Sequence, residues 1–229
     1  MYRVFPNIYN NIVNFIFPPA CTCCDNLLNK DERFICKSCL TTLKPVQKEN
    51  WSLSSDRTFD TNRIFSLYEF SEESKIQQVI YALKYQKFKS IGVVFGDLLG
   101  GEIKSRTSVN FDYIIPVPLH RSKKRERGYN QSDYIARGIS GALECELLEK
   151  CLKRTRFTKT QTQLDIHERR ENVSGAFVLN NSCKDKIIGK NLLVVDDVIT
   201  TGSTILECSR VLKAGGCGEL MICSIAKAL

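Results

Sequence analysis

The sequence predicts an α/β domain, a mainly parallel sheet flanked by helices, carried behind a small cysteine-rich module. Three observations predict it. From Ile64 onward, strand-like and helix-like patterns alternate, as crossover connections in a parallel sheet require. The apolar run Leu192-Leu-Val-Val195 leads into two acids, a Thr-Gly turn and a helix pattern. Five of the eleven cysteines crowd between Cys21 and Cys39. The 229 residues are 43% hydrophobic and 25% charged, which is globular composition. It excludes a wholly disordered chain, a collagen-like chain and a disulfide miniprotein.

The N-terminal stretch MYRVFPNIYNNIVNFIFPPA is rich in Ile and Phe, but Asn7, Asn10, Asn11 and Asn14 interrupt it. It has no continuous apolar h-region and no small-residue cleavage site. It reads as a helix packed by its apolar face, not as a signal peptide or membrane span. The expected location is cytoplasmic. In a reducing compartment the six scattered cysteines, Cys145, Cys151, Cys183, Cys208, Cys217 and Cys223, serve as small buried hydrophobes.

Cys21-Thr-Cys-Cys24 and Cys36-Lys-Ser-Cys39 form two C-x-x-C pairs eleven residues apart. Each pair can place two thiolates on one turn, and four sulfurs suit tetrahedral Zn²⁺. The expected ligands are Cys21, Cys24, Cys36 and Cys39, with Phe34 and Ile35 supplying apolar packing. Four protein ligands close the metal to substrate, so it would be structural. A redox pair, chance clustering and an exchange of Cys23 for Cys24 are the alternatives. The N-terminal helix and this ribbon are assigned to residues 1–50. The polar run WSLSSDRTFDTN is assigned as a linker, 51–62, and the α/β domain to 63–229.

Within that domain the elements follow in order. Residues 63–70 alternate as a strand, and Ser71 can cap a helix through KIQQVIYALKYQ. Residues 91–103 read as a second helix. FDYIIPVPL, 111–119, is a buried strand ended by prolines. Residues 120–127 carry five cations and one acid. A helix over 130–142, a strand over 145–152 and a long polar segment over 153–172 come next. A strand over 190–196, a helix over 203–214 and a strand over 219–226 complete the chain.

The run from Leu192 to Thr204 carries the strongest chemistry. A helix N-terminus offers free backbone N–H groups and a positive dipole end. Gly202 permits a tight turn, and Thr200, Thr201, Ser203 and Thr204 add hydroxyl donors. Together they form a phosphate cradle. Asp196 and Asp197 would repel the phosphate but can accept hydrogen bonds from sugar hydroxyls, so the site reads as built for a ribose 5-phosphate. No Walker A pattern occurs.

This run resembles the phosphoribosyl-diphosphate (PRPP) motif of type I phosphoribosyltransferases: four apolar residues, two acids, then a Thr-Gly loop. Further segments narrow the resemblance: Pro116-Val-Pro-Leu-His, Arg125-Glu-Arg-Gly-Tyr-Asn-Gln131, Arg154-Thr-Arg, Gln161-Thr-Gln and Arg169-Arg-Glu-Asn-Val-Ser-Gly-Ala-Phe177. With the double C-x-x-C, nearly the whole chain resembles the ComF family. Those proteins join a zinc ribbon to a type I phosphoribosyltransferase-like domain and are associated with natural competence, that is, DNA uptake.

The resemblance implies that Asp196 and Asp197 hold the ribose hydroxyls and that Thr200, Thr201, Gly202, Ser203 and Thr204 hold the 5-phosphate. It implies a pyrophosphate loop containing Arg121, Ser122, Lys123, Lys124 and Arg125, with Mg²⁺ accompanying PRPP. It makes 153–172 a hood loop that closes over substrate, with Arg154, Arg156, Lys159, Arg169 and Arg170 in it. Single-stranded DNA and a competence helicase are the macromolecular partners it suggests. His120 and His167 have no carboxylate partner by spacing and read as polar loop residues or a general base.

The net charge is +8. Between His120 and Arg170, thirteen Lys/Arg face seven Asp/Glu, so +6 of that surplus sits at the expected mouth of the site. This exceeds what one PRPP needs and predicts a polyanion there, with Tyr129 and Phe157 stacking on bases. The sequence leaves open whether the chain transfers ribose 5-phosphate or only binds PRPP as a regulatory ligand. A purine-salvage or amide-transferring phosphoribosyltransferase is the further alternative.

Overall fold

The computed structural model describes residues 18–47, 64–156 and 173–228. The expected N-terminal helix, the linker and the hood beyond Arg156, with Phe157 and His167, lie outside them. In chain order the elements are α1 (Lys37–Leu40), β1 (Ile64–Phe70), α2 (Lys75–Tyr85), α3 (Lys89–Arg106), β2 (Tyr113–Pro116), α4 (Arg121–Arg127) and α5 (Gln131–Leu143). They continue with β3 (Glu146–Leu147), β4 (Leu152–Arg154), β5 (Phe177–Leu179), α6 (Lys184–Ile187), β6 (Leu192–Ile199), α7 (Ser203–Ala214) and β7 (Leu220–Ala228). Five strands form one parallel sheet in the order β1-β7-β6-β2-β3.

Strand alternation splits the core in two. Leu193 and Val195 of β6, with Ile114 and Cys223, pack under α2, α3 and α5. Leu192 and Val194, with Ile115 and Ile222, pack under α6, α7 and the β4–β5 hairpin. Both faces are covered, which is why these strands read as continuous apolar runs. The layer of α3 against α5 is unusually close. A Cβ on Gly138 would lie 2.1 Å from the Val93 carbonyl, and one on Gly96 would lie 2.1 Å from the Ile135 carbonyl. Glycine is required at both because backbone fills the space.

The structure departs from the sequence reading at four points. α2 is capped by Ser74, not Ser71. Residues 71–73 make a turn with Glu73 at φ 63°, and the Ser74 hydroxyl accepts from Gln77 N at 3.4 Å. β6 continues past the two acids to Ile199. The strand expected over 145–152 is broken: Lys150 turns through φ 62°, and β4 leaves the main sheet to pair antiparallel with β5. The basic segment expected as a loop is the helix α4. Its Arg, Lys and Glu residues are good helix formers. The His120 ring caps its start by accepting from Ser122 N at 3.3 Å, and left-handed Gly128 closes its end.

The cysteine module docks on the sheet's outer edge. Val46 N donates to Leu67 O at 3.0 Å and Glu69 N to Lys44 O at 2.8 Å, which pairs the backbone edge of β1. Leu43 is buried in the core under α2 and α3. Phe34 meets Phe88 with ring centroids 6.1 Å apart.

Candidate functional site

The site lies where the carboxyl ends of β2 and β6 meet the N-termini of α5 and α7, the usual ligand position in an open parallel sheet. The sequence spaces the two acids one residue apart, and strand alternation gives them different surroundings. Asp196 turns toward α7 and lines a small cavity with residues 198–205. Gly202, left-handed at φ 75°, lets the chain enter α7 directly, and Leu206 N donates to its carbonyl at 2.9 Å. The Thr201 and Ser203 hydroxyls lie 3.0 Å apart at the cavity wall. The five expected phosphate-binding residues, 200–204, therefore share one cavity with Asp196.

Asp197 faces the other way, toward α2 and α5, and is 5% exposed. Lys84 of α2 pairs with its Oδ2 at 2.9 Å, and Gln131 Nε2 donates to the same oxygen at 3.2 Å. Val198 N donates to Oδ1 at 2.9 Å. Burial works against the charge of Asp197, but Lys84 and these bonds outweigh it and hold the carboxyl below its ordinary range. Asp196 is pushed up to about 7 by burial and by the charge of Asp197, against bonds from Asp197 N and from Ser132 Oγ at 3.2 Å. One acid is thus a fixed anion and its neighbour is poised near neutrality.

The basic helix α4 divides its cations between two faces. Arg121 and Lys124 line a cleft of about 460 Å³ beside the site, together with Pro116, Asp133, Glu149 and Arg154. Lys123, half-buried, sits in the field of Arg127, Arg154 and Lys84. Burial first, then those three cations, push its ammonium below the ordinary lysine range. A site that crowds four cations this closely is preorganised for an anion. Ser122 bonds the ring of His120, and Arg125 is exposed. His120 therefore acts as a helix cap. Arg154, at the base of the expected hood, lies over Phe177 at 5.2 Å and within the field of Asp196.

Sequence reasoning missed Lys84, Gln131 and Ser132 as partners of the acids. Lys84 stands in an ordinary amphipathic helix, and nothing in its spacing marks it. Tyr129, expected to stack on bases, is 4% exposed and donates its hydroxyl to Leu83 O. Its ring is committed to the core, packed edge-on against Tyr134 at 5.5 Å.

At the far side of α2, Sγ atoms of Cys21, Cys24, Cys36 and Cys39 all lie within 4.8 Å of one another. Cys24 and Cys36 sulfurs are 3.8 Å apart. Tetrahedral zinc with bonds of about 2.3 Å demands an edge of about 3.8 Å. Cys21 Sγ accepts from Cys23 N at 3.4 Å and from Cys36 N at 3.3 Å, bonds that suit a thiolate. Cys23 points elsewhere: its thiol donates to Lys75 O at 3.4 Å and ties the module to α2. No helix among the described residues is long and apolar enough to cross a membrane.

Comparison with known proteins agrees with this architecture. The phosphoribosyl transferase domain family matches residues 134–228. Competence protein F of Haemophilus influenzae is 40% identical over 115 residues, 50% of each chain. DNA utilization protein YhgH of Shigella flexneri is 31% identical over 158 residues, 67% of this chain and 68% of that one. Competence protein ComFC of Streptococcus pneumoniae is 22% identical over 219 residues, 90% of this chain and 87% of that one. The match thus spans half of the Haemophilus protein and about two thirds of the Shigella protein.

Proposed function

This chain belongs to the ComF family, and we propose that it binds PRPP with Mg²⁺ in the β6–α7 site and acts in the cytoplasm on single-stranded DNA during DNA uptake. The observation that carries the reading is the shared cavity of Asp196 and residues 200–204 at a helix N-terminus, beside a cluster of four cations. Backbone N–H groups and hydroxyls of 200–204 take the 5-phosphate. Asp196 accepts from the ribose diol, while Asp197, locked by Lys84, fixes the strand end that carries it. Lys123, Arg127 and Arg154 balance the pyrophosphate charge. Mg²⁺ would supply further positive charge to the diphosphate, with Asp196 as the one carboxylate of the pair that faces the cavity. Zinc fits Cys21, Cys24, Cys36 and Cys39 and would fold the module that edges β1.

A transferring enzyme is favoured by the open cleft beside the site, which has room for an acceptor. In that reaction the anomeric carbon–oxygen bond to pyrophosphate breaks, the bond to the acceptor forms, and the acceptor's proton leaves. A closed hood would keep water out.

Calorimetric titration with PRPP and Mg²⁺ tests the binding. Wild type should bind, and Thr201→Ala/Ser203→Ala should weaken binding about ten-fold or more through lost phosphate donors. Unchanged affinity in that variant would place the phosphate elsewhere. Pyrophosphate release on adding nucleobases or amines would separate a transferase from a sensor.

A further inference from the structure

The buried ring of Tyr129 leaves the question of where bases could stack. The structure offers a different aromatic surface. Tyr81, Tyr85 and Phe88 follow one another at spacings of four and three along the outer face of α2 and the turn after it. They are 55%, 51% and 43% exposed, Phe88 with one side against Phe34 of the cysteine module and the other open. The Tyr81 and Tyr85 rings lie 5.0 Å apart at 42°. Arg127, the last residue of α4, covers Tyr85 at 5.1 Å and donates to its hydroxyl at 3.4 Å. The aromatic line therefore runs directly into the cations beside the acid pair.

Charge chooses the occupant. From Ser74 to Gly96 the sequence has no acid; Lys84 is committed to Asp197 and Lys89 lies over the Tyr129 and Tyr134 rings, which leaves Lys87, exposed, and Arg127 beside the aromatic line. A second copy of this chain, itself at +8, would be repelled from such a face. Exposed rings among cations suit a polyanion with free π-faces. A duplex hides its base faces in its own stack, whereas a single strand presents them.

We infer that Tyr81, Tyr85 and Phe88, with Arg127, form a stacking platform that carries single-stranded nucleic acid across α2 toward the cation cluster. The inference rests on the DNA reading above and locates its contact surface. The rings hold bases without reading sequence, and Arg127 and Lys87 follow the backbone.

The test is fluorescence anisotropy of a labelled oligothymidylate at several salt concentrations, with the full chain. Tyr81→Ala/Tyr85→Ala should weaken binding about ten-fold or more while leaving the slope of log affinity against log salt unchanged, because no phosphate contact is lost. Tyr81→Phe/Tyr85→Phe should bind as wild type, which separates stacking from the hydroxyl bond to Arg127. Lys87→Ala should flatten the slope. Wild-type binding that survives both tyrosine replacements would overturn the platform and leave the DNA reading intact. No binding by wild type at low salt would overturn the DNA reading and the platform with it. A dimer in sedimentation velocity that the same tyrosine substitutions dissolve would overturn it in favour of self-association.

Discussion

Asp196 and Asp197 are adjacent in sequence and opposite in electrostatic role. Asp196 holds its proton to about 7 in the fold, whereas the unfolded chain loses it near the ordinary carboxylate value. Its contribution to stability is therefore greatest in acid and falls as pH rises from that value to about 7. Asp196→Asn should flatten this fall, measured as melting temperature between pH 4 and 7 on the order of the ordinary titration range. Asp197 carries the reverse sign: its depressed value adds stability above the ordinary carboxylate range, lost as pH falls through the folded-state value. The ion pair with Lys84 is largely buried. Lys84→Met should cost about 3 kcal/mol in urea unfolding, because Asp197 would stay buried without its cation. A double-mutant cycle with Asp197→Asn should give a coupling of about 1–3 kcal/mol, and additivity would contradict the pairing. The acids were legible in the sequence because apolar strand, acids and Thr-Gly turn are contiguous there. Lys84 was not, because only the tertiary fold brings α2 near the end of β6.

At the scale of elements, the sequence marked most strands and helices but misread the basic segment 120–127. The family resemblance put a pyrophosphate loop directly after the strand ending near Leu119, and so over these five cations. The His120 cap, the left-handed Gly128 and good helix formers between them made a helix instead. The consequence is functional, since a helix sends Arg121 and Lys124 into the cleft and brings Arg127 into the field of Asp197, rather than pooling all five. Helix α5 has to sit close for Gln131 and Ser132 to reach the acid pair. That closeness depends on glycine against backbone at α3. Gly138→Ala should therefore destabilise by about 1–3 kcal/mol or more, the overpacking range, since Val93 O and Asp97 N, at 2.1 and 2.6 Å, cannot rotate away. Thermal unfolding measures it; wild-type stability would mean that the helices separate freely.

At the scale of the molecule, helix α2 and the edge of β1 join the two parts. Cys23 of the cysteine module holds the first residue of α2, Phe34 packs on Phe88 just past its end, and Lys84 between them holds Asp197. The order of motifs along the chain revealed both parts, since each is local in sequence. Their junction was not legible, because it is made by a lone thiol, a ring and a backbone edge with no motif of their own. We propose the β6–α7 loop as a ribose 5-phosphate site. The most direct measurement is a crystal structure of the chain with PRPP and Mg²⁺, recorded also at the zinc absorption edge. The 5-phosphate should lie against the backbone N–H groups of 200–204 and the ribose diol on Asp196, with one anomalous peak within the four sulfurs. Ligand density at another surface, or an empty loop at saturating PRPP, would contradict it.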